Sequence, residues 1–91
     1  MWKELTATVI DPIGLHARPA SYITAEASKY KCDILITNNK SNRTANLKSL
    51  MNVLTLGVKQ NDSITIKFNG DDEEVASVGI LEVLRDNKII K

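Results

Sequence analysis

Apolar and polar positions alternate over residues 3–9, with Leu5, Ala7 and Val9 on one side and Glu4, Thr6 and Thr8 on the other. This period of two is the mark of a half-buried strand. Asp11-Pro12-Ile13-Gly14 breaks the pattern with turn-forming residues. Over residues 17–30 the apolar spacing lengthens to three and four, and Ala20, Ile23, Ala27 and Tyr30 form a helical stripe. Lys29 and Lys31 stand at its far end, where cations complement the helix dipole. Alternation resumes at Cys32, Ile34 and Ile36 against Asp33, Leu35 and Thr37, which predicts a second strand. The polar run 38–42 reads as a hairpin loop leading into a short strand over Arg43–Asn46.

The stretch 47–54 predicts a short helix, with Ser49 suited to capping it and Gly57 marking the exit. Asn61-Asp62 turns the chain, and Ile64, Ile66 and Phe68 alternate with Ser63, Thr65 and Lys67 in a fourth strand. After Asn69-Gly70, Asp71 is expected to cap a last helix, with Glu74 three residues on in capping-box spacing. That helix is expected to bury Val75, Val78, Leu81 and Leu84, to leave Asp72, Glu73 and Glu82 in solvent, and to stop at Asp86-Asn87. The tail 88–91 has no assigned role. The order βαββαβα predicts an α+β fold, a four-stranded antiparallel sheet with three helices on one face. Without a repeat, low-complexity tract or linker, residues 1–91 are read as a single domain.

Composition narrows the function classes. The chain has 91 residues, 43% of them hydrophobic and 25% charged, a globular rather than disordered balance. Its formal net charge of +1, with both signs mixed along the chain, gives no bulk attraction to nucleic acid or an anionic membrane. Aromatic residues are only 4%, too few to furnish the paired stacking rings of an RNA-binding sheet, so a small α/β RNA-binding module is the weaker alternative. Cys32 is alone, which precludes an intramolecular disulfide and suits a reducing cytoplasm. Its simplest role is strand packing, since the only histidine belongs to another motif. One His and one Cys cannot supply a usual four-ligand metal site, and no cofactor is expected. No apolar run approaches the roughly 20 residues of a membrane span. Met1-Trp2-Lys3-Glu4 does not open a signal peptide. Trp2 and Tyr22 need no role beyond packing, and the acidic run Asp71-Asp72-Glu73-Glu74 reads as a solvated helix start.

The candidate chemistry lies in Gly14-Leu15-His16-Ala17-Arg18-Pro19-Ala20. Gly14 permits a tight turn and Pro19 suits a first helical turn, so His16 sits at or just before a helix start. Free N–H groups and the positive end of the dipole there favour an anion carried on the imidazole, and Arg18 adds a planar fork of donors. A neutral imidazole, whose unperturbed pKa is about 6.5, offers a nucleophilic nitrogen at neutral pH. Together these parts suit a phosphoryl acceptor; the plainer alternative is a histidine that caps the helix beside an unrelated arginine.

A second motif, Asn46-Leu47-Lys48-Ser49-Leu50-Met51, follows the first in order. The pair resembles the histidine-containing phosphocarrier (HPr) family of the phosphoenolpyruvate:sugar phosphotransferase system, and the likeness continues through Ala27-Ser28-Lys29-Tyr30 and Val53-Leu54-Thr55-Leu56-Gly57. The resemblance implies an open-faced β-sandwich and a carrier that is a substrate of transferases rather than an enzyme. It implies that His16 takes a phosphoryl group from Enzyme I, charged from phosphoenolpyruvate, and passes it to IIA domains of sugar permeases. In the family the modified atom is the δ1 nitrogen, which this sequence alone does not identify. Arg18 is the implied phosphate partner, and Ser49 the serine modified by a kinase/phosphorylase in many Gram-positive relatives. A transcriptional regulator is a further implied partner, and neither nucleic acid nor membrane insertion is; the protein is expected to be a cytoplasmic monomer. Leu50, Met51 and Leu54 match an apolar docking surface, against which ordinary core packing is the alternative, favoured less for Leu50 and Met51 than for Leu54. A paralogue serving a nitrogen-linked or regulatory phosphorelay has the same chemistry and a different client. Three departures from the family stand out: Ile13 where many relatives carry a small polar residue, a hairpin about two residues longer, and Asn52 in place of a common glycine.

Overall fold

Seven elements form in the predicted order. The computed structural model describes residues 2–91; Met1, part of the N-terminal stretch considered above, lies outside them. The elements are β1 (Lys3–Thr8), α1 (Ala17–Ala27), β2 (Asp33–Asn38), β3 (Arg43–Asn46), α2 (Leu50–Leu54), β4 (Ser63–Asn69) and α3 (Glu73–Asp86). The strands make one antiparallel sheet in the order β1-β4-β2-β3. Register turns the sequence alternation into two unlike faces. Leu5, Ile66, Ile36 and Ala45 line up across the sheet on the core side, with Ile34, Ile64 and Phe68 beside them. Thr6, Thr65, Thr37 and Thr44 form the matching row on the open side, where hydroxyls pair at 3.1 Å for Thr6 with Thr65 and 2.8 Å for Thr37 with Thr44. Cross-strand pairs of this kind favour the register, because a slip of one residue would exchange the two faces.

The helices cover the apolar face. Pro19, Ala20, Ile23, Thr24 and Ala27 are buried on α1, while α2 buries Val53. Helix α1 ends at Ala27, earlier than its apolar stripe implied, so Lys29 and Lys31 lie beyond it. Tyr30 still packs against the core, half-buried, and its hydroxyl donates to Glu26 Oε2 at 2.6 Å. Lys29 Nζ lies 2.9 Å from the other oxygen of that carboxylate. Hydrogen bonding from Tyr30 and then Lys29 holds Glu26 below its ordinary pKa, and the same carboxylate pushes the Tyr30 hydroxyl up to about 12.

Helix α3 corrects the expected burial. It turns Ala76, Ser77, Ile80 and Leu84 inward and leaves Val75 and Val78 exposed at 64% and 56%. Only Leu84 of the expected four is fully buried; Leu81 is partly so. The reason is that Ala76, Ile80 and Leu84 take the inward stripe of α3. Gly79 passes under Tyr30, where a Cβ would run into the Tyr30 hydroxyl and lie 2.7 Å from Glu26 Oε2. The missing side chain at Gly79 leaves room for Tyr30 and Glu26 where α3 packs against α1.

The start of α3 also differs. Asp72, not Asp71, holds the N-cap position, and its carboxylate does not cap. Its two oxygens accept the Lys31 and Cys32 N–H groups at 2.8 and 2.9 Å, tying the approach to β2 to the start of α3. At the other end Lys88, with φ of 57°, turns the chain back, and the Ile89 N–H donates to Leu84 O at 2.9 Å. The tail therefore has a structural role: Ile89 and Ile90 are buried, and Ile90 bridges Val9. Among the described residues no helix is long and apolar enough to cross a membrane.

The Asp72 clamp predicts a pH signature. Backbone N–H bonding, from Lys31 first, holds this carboxyl below its ordinary value of 3.8. The native state therefore binds fewer protons than the unfolded chain in that range. The clamp's stabilisation is full above pH of about 4 and is lost as pH falls through the native pKa. Urea unfolding should find Asp72→Asn less stable than the parent at pH 7, with the gap closing toward pH 2. A gap independent of pH would assign the effect to shape rather than charge.

Candidate functional site

The site begins in the turn after β1. The Ile13 N–H donates to Asp11 Oδ1 at 2.9 Å and the Gly14 N–H to Asp11 O at 2.9 Å, so one aspartate closes the turn with both its side chain and its backbone. Gly14 has φ of +81°, and a Cβ there would run into Val58 O and lie 2.7 Å from Lys59 Cα. Only glycine meets both demands. The next N–H, of Leu15, donates to Val58 O at 3.0 Å, and the Leu15 side chain is buried. This contact anchors the turn to the segment that follows α2.

His16 occupies the N-cap of α1 in extended conformation, φ −88° and ψ −172°. Its carbonyl accepts the Ala20 N–H at 3.0 Å, but its side chain makes no capping hydrogen bond. The capping alternative therefore fails. Among the described residues the Ala17 and Arg18 N–H groups have no protein acceptor, and Pro19 has no N–H to satisfy. Two donors at the positive end of an eleven-residue helix stay free beside the imidazole. The imidazole is about one-third exposed, with Nε2 at 3.9 Å from Asp11 Oδ1. Arg18 is exposed, and among the described residues its guanidinium has no ion pair. It is available to an incoming anion.

The second motif forms α2. Ser49 is its N-cap, yet its Oγ accepts the Asn52 N–H at a long 3.4 Å. Lys48 Nζ is engaged with Tyr30 O at 2.7 Å. Leu50 and Leu54 are half-buried and pack against the core, whereas Met51 is 72% exposed. Ile13, three residues before His16, is exposed at 70%. Helix α2 packs against α1, so the two motifs fold against one another. The sequence reading took Asp11 only as a turn former and gave it no place beside His16. Cys32 lies away from this chemistry; burial and then Asp72 push its thiol up to about 11, the opposite of what activation needs. Among the described residues no group of three or more His, Cys, Asp or Glu is placed to hold a metal.

Comparison with known proteins agrees with this geometry. The family described as "PTS HPr component phosphorylation site" matches residues 3–86. Phosphocarrier protein HPr of Mycoplasma pneumoniae is 46% identical over 88 residues, covering 97% of this chain and 99% of that protein. Its counterpart from Mycoplasma genitalium is 44% identical with the same coverage. A solved structure of a mycoplasma histidine-containing phosphocarrier protein superposes with a TM-score of 0.93 at 38% identity, covering 98% of this chain and 99% of the other. With a family match over residues 3–86, relatives 44–46% identical along nearly the whole chain and a superposition at a TM-score of 0.93, the chain belongs to the HPr family of phosphotransferase-system phosphocarriers.

Proposed function

We propose that His16 is the phosphoryl acceptor, taking the group from Enzyme I and passing it to IIA domains of sugar permeases. The observation that carries this is an uncapped imidazole at the N-cap of α1, with the Ala17 and Arg18 N–H groups free beside it. Nδ1 is the acceptor nitrogen, because Nε2 is the atom turned toward Asp11. The phosphoryl oxygens meet the helix-start donors and the Arg18 guanidinium, so the protein's contribution is positioning and charge stabilisation. These donors are few and partly solvated, which suits a group that must leave as readily as it arrives. The chain works as a single cytoplasmic carrier domain and as a monomer, with no cofactor. Its chemistry is completed in the active sites of its partners.

Ser49 is a regulatory phosphorylation site for an ATP-dependent kinase/phosphorylase. Its weak capping bond leaves the hydroxyl accessible at low structural cost. A phosphoryl group there adds about −1.5 to −2 charges at the start of α2. It would stand beside Leu50 and Met51, which with Leu54 form the docking surface. Of these Met51 offers the exposed apolar contact, and Leu50 and Leu54 support it from the core side. The same dianion attracts a partner that presents basic residues, such as a transcriptional regulator.

Incubation with Enzyme I and isotopically labelled phosphoenolpyruvate should place an acid-labile label on His16, and His16→Ala should abolish it with the fold intact by NMR. Label elsewhere would overturn the assignment. Arg18→Ala should lower kcat/KM for this transfer by roughly tenfold to a hundredfold while leaving urea stability unchanged. Ser49→Ala should cost no more than about 1 kcal/mol in stability. Phosphorylated Ser49, or Ser49→Asp, should lower kcat/KM with Enzyme I by roughly tenfold or more. Equal turnover of modified and unmodified protein would exclude control at docking.

A further inference from the structure

Asp11 has a use beyond closing its turn. Its Oδ1 lies 3.9 Å from His16 Nε2, within ion-pair range and outside a direct hydrogen bond. The carboxylate is itself fixed: Oδ1 accepts the Ile13 N–H, and the backbone oxygen of the same residue accepts the Gly14 N–H. Its side chain is only 20% exposed, so the charge is partly shielded from water. Among the described residues Asp11 is the ion partner of His16. The imidazole thus has an anion at one nitrogen and, on the side of the helix start, free N–H donors.

We propose that Asp11 is a positioning residue for phosphoryl transfer, keeping the His16 proton on Nε2 and so the lone pair on Nδ1. The inference rests on His16 as the acceptor and concerns how that ring is held. A neutral imidazole carries one proton, and only the other nitrogen is a nucleophile. An anion on the Nε2 side favours the tautomer protonated there. The Nδ1 lone pair then forms the bond to phosphorus, and the donor protein keeps the electron pair of the bond that breaks. The ring becomes an imidazolium with phosphorus on Nδ1 and its proton still on Nε2. Asp11 faces that new positive charge from the Nε2 side.

The same arrangement governs release. When the next acceptor attacks phosphorus, the P–N bond breaks and its electron pair returns to Nδ1. Because Nε2 has kept its proton, the leaving group is neutral imidazole rather than imidazolate. A carboxylate that holds that proton therefore assists donation as well as acceptance, without itself taking up a proton.

Asp11→Asn removes the charge and retains an oxygen for the Ile13 N–H, and Asp11→Ser does the same with a shorter side chain. Both variants and the parent should be compared for transfer kinetics from phosphorylated Enzyme I and onward to a IIA domain, with nitrogen-15 shifts of His16 recorded on the unphosphorylated proteins. Removal of the carboxylate should lower kcat in both directions by roughly three- to tenfold, with KM within twofold. It should also move the nitrogen shifts from the Nε2-protonated form toward a mixture of tautomers. A parent that labels on His16, with an Asn variant matching it in kcat and in tautomer, overturns the role of Asp11 and leaves the acceptor assignment standing. A loss in the Ser variant alone also overturns it, since the charge would then be irrelevant. A parent that fails to label on His16 removes both.

Discussion

The approach of the Gly14 turn to the Val58–Lys59 backbone is the constraint on which the site depends. It sets where the chain can reverse after β1, and Leu15 is drawn into the core by the hydrogen bond that follows. His16 is thereby delivered to the start of α1 in an extended conformation, its side chain uncommitted to the helix it precedes. The residues that touch Val58 come from the first motif, and Val58 itself follows the second. One backbone contact thus joins two stretches of sequence separated by α1, β2, β3 and α2.

The rest of the molecule is held by a division between apolar layering and a few polar ties. The sheet and helices share one continuous apolar core, and the open face is finished with a row of interlocking hydroxyls. Polar cross-links occur where elements meet. Asp72 ties the approach to β2 to α3, and Glu26 gathers Tyr30 and Lys29 at the end of α1. Each satisfies donors that the regular elements leave over. None of these ties uses a residue of the His16 turn, where Asp11 itself both closes the backbone and faces the imidazole.

Much of this was legible in the pattern of residues. Period-two alternation named β1, β2 and β4, because one face is apolar and the other polar; the hairpin run before it named β3, and Ser49 announced the short helix that it caps. The position of His16 followed from Gly14 and Pro19. The reading failed where a contact between distant elements outweighed a local preference. Val75 and Val78 look like core residues until Ala76, Ile80 and Leu84 are seen to take the inward stripe of α3. Asp71 looks like a cap, but the carboxylate at Asp72 is claimed by amides some forty residues earlier in the chain. Asp11 was read as a turn former alone, because its approach to the imidazole depends on how the turn folds back toward the helix start. The tail was left without a role because Ile89 and Ile90 become core only after Lys88 reverses the chain.

That reversal has an architectural consequence. Ile90 is bridged to Val9 in antiparallel sense, at the far end of the exposed edge of β1 from Lys3. The distance back along that edge is about 20 Å for six residues of strand. By pairing with Val9 and Ile10, Ile89 and Ile90 shorten the unpaired edge of the sheet to β1 itself, leaving less backbone on which a foreign strand could add.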